Sequence, residues 1–350
     1  MTDLCSDAGR SVLPKVTVAI PTRNRVAFLV QALDSVLAQT YENIEVIVSD
    51  NASEDDTWHK LQKYADERLI TVRQQHDIGM VGNWNACLNI ASGEFFILLS
   101  DDDYLQPAAI ERMISVFLPS FQTLSIKREN IGIVYCRYRI TDKSGELVGL
   151  SRRAPFLEDA KDLILFFFQS KRHLVPCATL FRTHDLRALS GYPVRNFPLG
   201  ADAYAWMNIV LQRGYAFFID EQLSNYRVHC SNVTRQVDIS MWLEDNRVLA
   251  RMVTEYFQDQ SDFDYVAKIN TSIKSFNARI ASGLINQAVF SGSITRGLGV
   301  KKYFDFWPYF SSLGGLIIFV TGLAKILVPN AVIQKFRSSK KHALAMRRSS

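Results

Sequence analysis

Short apolar runs alternate with stretches of helical periodicity over the first 120 residues of the chain. The runs are rich in β-branched residues, and they predict strands at 16–20, 44–48, 69–73 and 94–99. Between them, apolar residues recur at the three- and four-residue spacing that predicts helices at 28–37, 55–65 and 79–91. This alternation is typical of an α/β fold with a mostly parallel sheet flanked by helices. In such sheets, ligands bind beyond the carboxyl ends of the strands.

The remainder of the chain is less regular and becomes helical towards its C-terminal end. Further strands are predicted at 131–140, 176–181 and 215–219, and helices at 201–212 and over most of 238–289. The predicted regions are an N-terminal tail at 1–14, an α/β domain at 15–235, a helical extension at 236–300, and an apolar or amphipathic segment with a basic tail at 301–350.

Composition and charge exclude several classes of protein. The chain has 350 residues, of which 48% are hydrophobic, so it can bury a large core and is not a disordered chain. The formal charge is +5, but seven basic and no acidic residues follow Asp305, which leaves 33 basic against 35 acidic residues in the rest. The positive charge therefore belongs to the C-terminal tail, and no nucleic-acid-binding face is predicted.

The apolar segment at 307–329 has aromatic residues at one end and Lys325 at the other. A helix lying in the membrane interface, followed by a basic tail, accounts for this arrangement. The alternatives are a buried C-terminal helix and a membrane span, which Lys325 and Pro308 make marginal. Scattered cysteines without a Cys-x-x-Cys pair, and a start without the features of a secretory signal, predict a cytoplasmic protein.

Three consecutive aspartates, Asp101 to Asp103, follow the predicted strand at 94–99. Adjacent carboxylates at the end of a buried strand repel one another unless a cation neutralises them. Oxygen ligands of this kind suit Mg²⁺ or Mn²⁺, which bind through one or two carboxylates together with substrate phosphates. Such a cation stabilises negative charge on a departing diphosphate. The alternative is an acidic turn that caps the helix predicted after Pro107.

Asp50 occupies the corresponding position after the predicted strand at 44–48. Its carboxylate would either accept a hydrogen bond from a nucleobase ring N–H or close an Asx turn in the polar loop at 49–53. Because parallel strands end at one edge of a sheet, Asp50 and the three consecutive aspartates are predicted to face one crevice. Thr22 and Asn24, which follow the first strand, are predicted N-caps of the first helix.

Four motifs occur in order within the first 107 residues. They are Val-Ala-Ile-Pro-Thr-Arg-Asn-Arg at 18–25, Val-Ile-Val-Ser-Asp-Asn-Ala-Ser at 46–53, Asn-Trp-Asn-Ala-Cys-Leu-Asn-Ile-Ala-Ser-Gly-Glu at 83–94, and Leu-Leu-Ser-Asp-Asp-Asp-Tyr-Leu-Gln-Pro at 98–107. Their order and spacing closely resemble the family 2 glycosyltransferases, which are inverting enzymes of the GT-A fold. The glycine motifs of dinucleotide-binding oxidoreductases and P-loop kinases are missing, which excludes both classes.

The resemblance implies that residues 15–120 bind a nucleotide sugar and that residues 121–235 form the acceptor side. Pro21, Thr22 and Asn24 match the segment that contacts the nucleotide. Asp50 matches the aspartate that recognises the base.

Within the three consecutive aspartates, the resemblance implies separate roles. Asp101 matches the residue that contacts the ribose or the sugar. Asp102 matches the ligand of Mn²⁺ or Mg²⁺, with Asp103 as a further candidate. The usual family pattern is Asp-x-Asp-Asp, and this chain departs from it with Ser100 at the first position.

Asp202 is the candidate catalytic base by the same resemblance. Gly-Ala-Asp at 200–202 matches a Glu-Asp segment of the family, with Ala201 at the glutamate position. A base here would remove the proton of the acceptor hydroxyl during a single in-line displacement, whereas the residues alone favour an N-cap of the following helix. His229 is a candidate contact to the metal or the diphosphate, with a structural role as the alternative.

The implied activity is transfer of a sugar from a nucleoside-diphosphate sugar to an acceptor hydroxyl. Donors linked to UDP or dTDP are favoured, with GDP as an alternative. The acceptor would be a glycan or a lipid-linked saccharide in surface polysaccharide synthesis, at the inner face of the plasma membrane. The departures at Ser100 and Ala201 leave a second hypothesis, namely an inactive relative that acts as a membrane-surface scaffold.

Overall fold

One sheet contains the ten strands that the computed structural model describes, over residues 13–121, 126–194, 200–229, 232 and 239–290. Their order across the sheet is β3-β2-β1-β4-β9-β6-β10-β5, with β7 beside β6 and β8 beside β10. The strands are β1 (Val16–Thr22), β2 (Ile44–Asp50), β3 (Leu69–Arg73), β4 (Phe95–Leu98), β5 (Tyr104–Leu105), β6 (Ile131–Thr141), β7 (Leu147–Leu150), β8 (Leu157–Asp159), β9 (Thr179–Arg182) and β10 (Tyr215–Arg227).

Six of these strands point in the same direction. β3, β2, β1 and β4 pair in parallel. β9 runs antiparallel to both β4 and β6, so β6 points the same way as β4, and β10 is parallel to β6. The carboxyl ends of all six strands therefore lie along one edge, as the predicted mostly parallel α/β sheet requires.

Helices flank the sheet, which confirms the predicted fold class. Those of the described residues are α1 (Val26–Leu37), α2 (Thr57–Leu61), α3 (Met80–Ile90), α4 (Ala109–Ser115), α5 (Ala160–Phe168), α6 (Thr183–Ala188), α7 (Ala201–Arg213), α8 (Ile239–Asp259) and α9 (Phe263–Phe290).

The core lies between the sheet and the first helices. Leu29, Ala32, Leu33 and Val36 of α1 follow the spacing of one helical face, and all are buried against alternate residues of β1 and β2. Full burial of an aliphatic side chain of this size stabilises a fold by about 1.5–3 kcal/mol. The opposite face of β1 and β2 contacts α3. The four parallel strands are thus rigidly held, and the loops at their carboxyl ends are anchored by them.

Two strands differ from the prediction for local reasons. Residues 176–178 form a 3₁₀ turn and β9 begins only at Thr179, because Pro176 cannot donate to a neighbouring strand. The strand predicted at 215–219 continues to Arg227. Its pairing with β6 shifts register around Gln222. The polar residues at this irregularity resemble a loop in the sequence, so the prediction ended the strand too early.

The chain divides into two compact units, and the second comprises, of the described residues, 168–170 and 239–290. Its described part is helical, as predicted. α8 and α9 pack together through buried apolar residues that include Val253, Phe257 and Ile269. The rings of Phe257 and Tyr265 lie 4.3 Å apart.

No helix among the described residues is long and apolar enough to cross a membrane. The apolar segment at 307–329 and the basic tail lie outside the described residues. Attachment to a membrane surface through residues 301–350 therefore stays a prediction.

Candidate active site

Residues that follow three neighbouring strands lie side by side at the carboxyl edge of the sheet. Thr22 and Pro21 end β1 opposite Asp50 and Ser49 of β2, while Asp101 follows β4 on the other side of β1. The Thr22 hydroxyl donates a hydrogen bond to Asp101 Oδ2 at 2.7 Å. Asp50 and Asp101 therefore flank the same strand end, as the sequence predicted.

Arg25 is a cation in direct contact with the consecutive aspartates. Its Nη1 atom donates to Asp101 Oδ1 at 3.1 Å and to Asp102 Oδ2 at 2.8 Å. Both carboxylates are buried, whereas the Arg25 side chain is 24% exposed. Burial raises the pKa of Asp101 to about 6, although the charge of Arg25 opposes the rise. Arg25 thus neutralises part of the negative charge, and the remainder favours binding of a further cation.

Three side-chain nitrogen atoms surround one oxygen atom of Asp102 at hydrogen-bonding distance. Arg25 Nη1, His229 Nε2 and Asn232 Nδ2 lie 2.8, 3.0 and 3.2 Å from Asp102 Oδ2. Among the described residues, none donates to the other oxygen, Oδ1. One oxygen of Asp102 is therefore held by the protein, and the second is available to a ligand.

Asp102 and His229 form a carboxylate–imidazole pair that fits a divalent cation. Burial lowers the pKa of His229 despite the opposing charge of Asp102, which favours the neutral ring that a metal ligand requires. Within the described ranges, no cluster of three or more His, Cys, Asp or Glu side chains forms a metal site by itself. Mg²⁺ needs few protein ligands, because it keeps water molecules and binds substrate phosphates. The pair therefore fits a cation that is bound together with a diphosphate.

Asp103 has contacts of another kind. Its Oδ1 atom accepts the backbone N–H of Arg227 at 2.8 Å, and the residue is only 2% exposed. Burial, together with the charge of Asp102, raises the pKa of Asp103 well above its usual range. These contacts connect the loop that contains the three consecutive aspartates (residues 100–103, the aspartate loop) to the end of β10. A metal-ligand role for Asp103 stays a prediction.

Arg227 is buried, and its side chain contacts residues of α1 and β5. Its guanidinium lies 4.9 Å from the centre of the Phe28 ring and 5.3 Å from that of Tyr104. It also donates to Gln31 Oε1 at 2.5 Å. Of the two arginines beside the aspartates, Arg25 is therefore the one that reaches solvent.

The two oxygens of Asp50 differ in their surroundings. Oδ1 accepts the backbone N–H of Ser53 at 3.0 Å, so the predicted turn is present. Oδ2 is buried and lies 3.4 Å from Arg73 Nε, yet it receives no hydrogen bond from the described residues. A buried oxygen without a donor costs free energy. The ring N–H of a bound base would supply the missing hydrogen bond.

The predicted N-caps of α1 are wrong, because tertiary hydrogen bonds use both side chains. Arg25 is the N-cap residue, and its side chain makes no capping bond. The Thr22 hydroxyl is bonded to Asp101 instead, and Asn24 Oδ1 accepts the backbone N–H of Glu54 at 2.7 Å. Asn24 has a φ of 53°, a left-handed conformation that asparagine tolerates.

The alternative capping role of the consecutive aspartates is also excluded. α4 begins after Ala108 without a side-chain cap, so the consecutive aspartates do not cap it. The N-cap of α7 is Gly200, and Asp202 lies in the first turn beyond it, where its Oδ1 atom accepts the backbone N–H of Ala203 at 2.8 Å. Asp202 is thus not the N-cap, but its carboxylate contacts the start of the helix.

Tyr226 lies in β10, directly before Arg227. Burial raises the pKa of the Tyr226 phenol, and the charges of Asp103, Asp102 and Asp202 add to the rise. Asp202 itself lies in the first turn of α7, and its role in the site stays a prediction.

Sequence analysis gave no role to Arg25 or Asn232, although both contact Asp102. Arg25 directly follows Asn24, which has a left-handed conformation. The sequence feature that could have indicated Arg25 is its positive charge close to the end of β1. Asn232 resembles a glycosylation sequon in the sequence, and its 8% exposure and its bond to Asp102 depend on tertiary structure.

The amino-acid sequence matches the profile described as glycosyl transferase family 2 over residues 17–189. An uncharacterized glycosyltransferase of Rickettsia prowazekii, RP339, is 30% identical over 296 residues, which cover 81% of this chain and 88% of that protein. The UDP-Glc:alpha-D-GlcNAc-diphosphoundecaprenol beta-1,3-glucosyltransferase WfaP of Escherichia coli is 27% identical, with 63% of this chain and 79% of that protein covered.

Solved structures share the fold at lower sequence identity. Residues 1–349 of S. aureus TarS, in complex with UDP-GlcNAc, give a TM-score of 0.55 at 19% identity, with 91% of this chain and 82% of that chain covered. The mannosyltransferase PcManGT from Pyrobaculum calidifontis, in complex with GDP-Man and Mn²⁺, gives 0.50 at 17% identity, with 91% and 88% covered. Together with the profile match and the relatives, these likenesses show that the chain belongs to glycosyltransferase family 2, as a nucleotide-sugar glycosyltransferase with the GT-A fold.

Proposed function

We propose that the protein transfers a sugar from a UDP- or dTDP-linked donor to a hydroxyl group of a lipid-linked saccharide, with inversion at the anomeric carbon. The observation that carries this proposal is the grouping of Asp50, Asp101 and Asp102 at one sheet edge. Asp50 and Asp101 flank Thr22, while Arg25 bridges Asp101 and Asp102.

The donor would bind across the ends of β1, β2 and β4. Asp50 Oδ2 accepts the ring N–H of the base, since a uracil or thymine N–H supplies the donor that this buried oxygen lacks. Asp101 then contacts the ribose or the sugar, with Thr22 fixing its carboxylate. Pro21 and Asn24 shape the turn against which the nucleotide lies. Arg25 is solvent-accessible beside the aspartates and is suited to contact the diphosphate.

Asp102 and His229 would hold a Mn²⁺ or Mg²⁺ ion, with Asp103 as a further candidate. Bound there, the ion neutralises charge on the departing diphosphate. PcManGT, whose structure was solved with GDP-Man and Mn²⁺, supports this assignment by family likeness. Asp102 contributes Oδ1, the oxygen that receives no hydrogen bond from a described residue. His229 contributes a ring nitrogen, and its lowered pKa favours the neutral form.

Asp202 would act as the general base. Inversion requires the acceptor oxygen to attack from the side opposite the leaving diphosphate, and a carboxylate on that side takes the hydroxyl proton as the bond forms. Asp202 comes from the acceptor half, whereas the metal pair follows β4 and β10. The assignment of the base to Asp202 rests on its match to the Glu-Asp segment of the family.

The acceptor assignment is supported by WfaP, whose name specifies UDP-Glc and a diphosphoundecaprenol-linked sugar. An acceptor with a polyprenyl anchor lies in a membrane, so the reaction would take place at the cytoplasmic face. The region 301–350, which contains the apolar segment at 307–329 and the basic tail, would keep the enzyme at that surface.

A donor panel tests the proposed activity. Purified full-length protein is incubated with UDP-, dTDP- and GDP-linked sugars, with Mn²⁺ or with EDTA, and release of nucleoside diphosphate is measured. We expect release from a UDP- or dTDP-linked sugar that stops with EDTA and returns with added Mn²⁺. The Asp202→Asn variant, purified in the same way, controls for contaminating phosphatases. No release from any donor, with intact binding to lipid vesicles, would support the inactive scaffold instead.

Replacement of Asp50 with asparagine should weaken nucleotide binding. The amide retains an oxygen for the Ser53 turn but presents an NH₂ group to the base N–H, so a hydrogen bond to a charged group is lost. Such a bond contributes about 1.5–3 kcal/mol, and we expect the Kd for UDP to rise roughly 10- to 100-fold by calorimetry. Asp66→Asn, in the turn before β3, is the matched control. An unchanged Kd for UDP in the Asp50 variant would show that the base is recognised elsewhere.

A further inference from the structure

Asn232, five positions after the end of β10, is buried beside the three consecutive aspartates. The Asn232 side chain accepts the backbone N–H of His229 through Oδ1 at 2.5 Å. Its Nδ2 atom donates to the backbone carbonyl of Arg227 and to Asp102 Oδ2, each at 3.2 Å. One amide group therefore joins the backbones of Arg227 and His229 to the carboxylate of Asp102, the candidate metal ligand.

These bonds determine how His229 faces Asp102. The backbone of His229 is fixed by Asn232, and the ring stacks on Phe28 with centroids 5.0 Å apart and planes inclined by 17°. With backbone and ring both constrained, Nε2 lies 3.0 Å from Asp102 Oδ2. The carboxylate and the imidazole are thus held together by contacts that lie outside the pair.

The three residues around Asp102 Oδ2 differ in the other contacts that they could make. Arg25 is partly exposed and suited to contact a diphosphate, and His229 is suited to ligate a cation. Either residue would change partners when a donor–metal complex binds. Asn232 carries no charge and is buried. It is therefore the donor that can keep Oδ2 in place while Oδ1 turns to a ligand.

We propose that Asn232 is a positioning residue of the cation site: it holds Asp102 and His229 in the arrangement that binds a divalent ion with the donor diphosphate. This inference rests on the proposed function, because it presupposes a metal-dependent donor site. Outer contacts of this kind typically change metal affinity by about 10- to 100-fold when they are removed. The competing explanation is that Asn232 only closes the loop after β10.

Asn225 provides a matched control for the substitution. It is also a buried asparagine near the aspartate loop, and its Nδ2 atom donates to the backbone carbonyl of Tyr104 at 3.2 Å. It contacts neither Asp102 nor His229 among the described hydrogen bonds. Asn225→Ala therefore removes a comparable buried amide without removing the proposed contact.

The test compares Asn232→Ala and Asn225→Ala with wild-type protein as full-length chains. Mn²⁺ binding in the presence of UDP is measured by electron paramagnetic resonance, UDP binding without Mn²⁺ by calorimetry, and folding by thermal unfolding. We expect Asn232→Ala to weaken Mn²⁺ binding about tenfold or more, with metal-free UDP affinity unchanged. Asn225→Ala should bind Mn²⁺ as wild type does. If Asn232→Ala does not fold, Asn232→Ser replaces it, because a serine hydroxyl keeps a polar group there but is too short to bridge to Asp102.

The outcomes separate the inference from the proposed function. Wild-type protein that binds UDP with no influence of Mn²⁺ overturns the metal-dependent donor site and the inference with it. Wild-type protein that binds Mn²⁺, together with equal Mn²⁺ affinity in Asn232→Ala and Asn225→Ala, overturns the inference alone and assigns Asn232 to loop closure.

Discussion

Replacement of Asp202 with asparagine should lower turnover by roughly 10²–10⁴-fold, the usual contribution of a general base. The amide cannot take the proton of the acceptor hydroxyl, but the donor site at the ends of β1, β2 and β4 is unchanged. Affinity for the nucleotide sugar should therefore stay within about twofold of wild type, since uniform binding is not removed. Turnover is measured as release of nucleoside diphosphate in the presence of acceptor, and donor affinity by calorimetry.

Asp162 offers a control for this substitution, because it lies in the first turn of α5 as Asp202 does in α7. Asp162→Asn changes the charge at a helix N-terminus without touching the candidate site. Near-normal turnover in Asp202→Asn would mean that another residue takes the proton. Equal loss of turnover in both variants would point to a general effect on folding.

The second large effect is expected for Asp102→Asn. The amide oxygen can keep the hydrogen bonds from Arg25, His229 and Asn232, but the NH₂ group then replaces Oδ1, the oxygen proposed to meet the cation. Metal catalysis contributes several kcal/mol of charge stabilisation, so Mn²⁺-dependent turnover should fall roughly 10²-fold or more. The variant should also lose the Mn²⁺ dependence of UDP binding while circular dichroism reports an intact fold.

Asp142→Asn controls for loss of one acidic charge, since Asp142 closes the exposed turn between β6 and β7. Wild-type Mn²⁺ activation in Asp102→Asn would remove Asp102 from the metal site. In that case the predicted ligand Asp103 would become the next residue to replace.

The parallel part of the fold could be predicted because its sequence signal is local. β1, β2 and β4 are buried on both faces, so they appear as continuous apolar runs, and α1 shows a regular buried face. β7 lacks that signal, because its residues are mostly exposed. α5 contains the run Leu-Ile-Leu-Phe-Phe-Phe, which fits a buried strand as well as a helix.

The candidate site could be predicted only in part, for a similar reason. Asp50 and the consecutive aspartates directly follow strong strands, so their position at the sheet edge follows from topology. Asn232 is joined to Asp102 across 130 positions of sequence, and no local pattern encodes such a contact. Thr22 shows the converse error, since its local preference for capping is overridden by a bond to Asp101, 79 positions away.

The distant partners of the aspartate loop also bear on synthesis of the protein. Asp103 is bonded to Arg227, and Asp102 to His229 and Asn232, at separations of 124 to 130 positions. A nascent chain that has left the ribosome only as far as α4 holds the nucleotide-binding strands but none of these partners. Because domains fold as synthesis proceeds, the candidate site can be completed only after residue 232 has emerged. A fragment limited to the first 120 residues should therefore be unable to cleave nucleotide sugars.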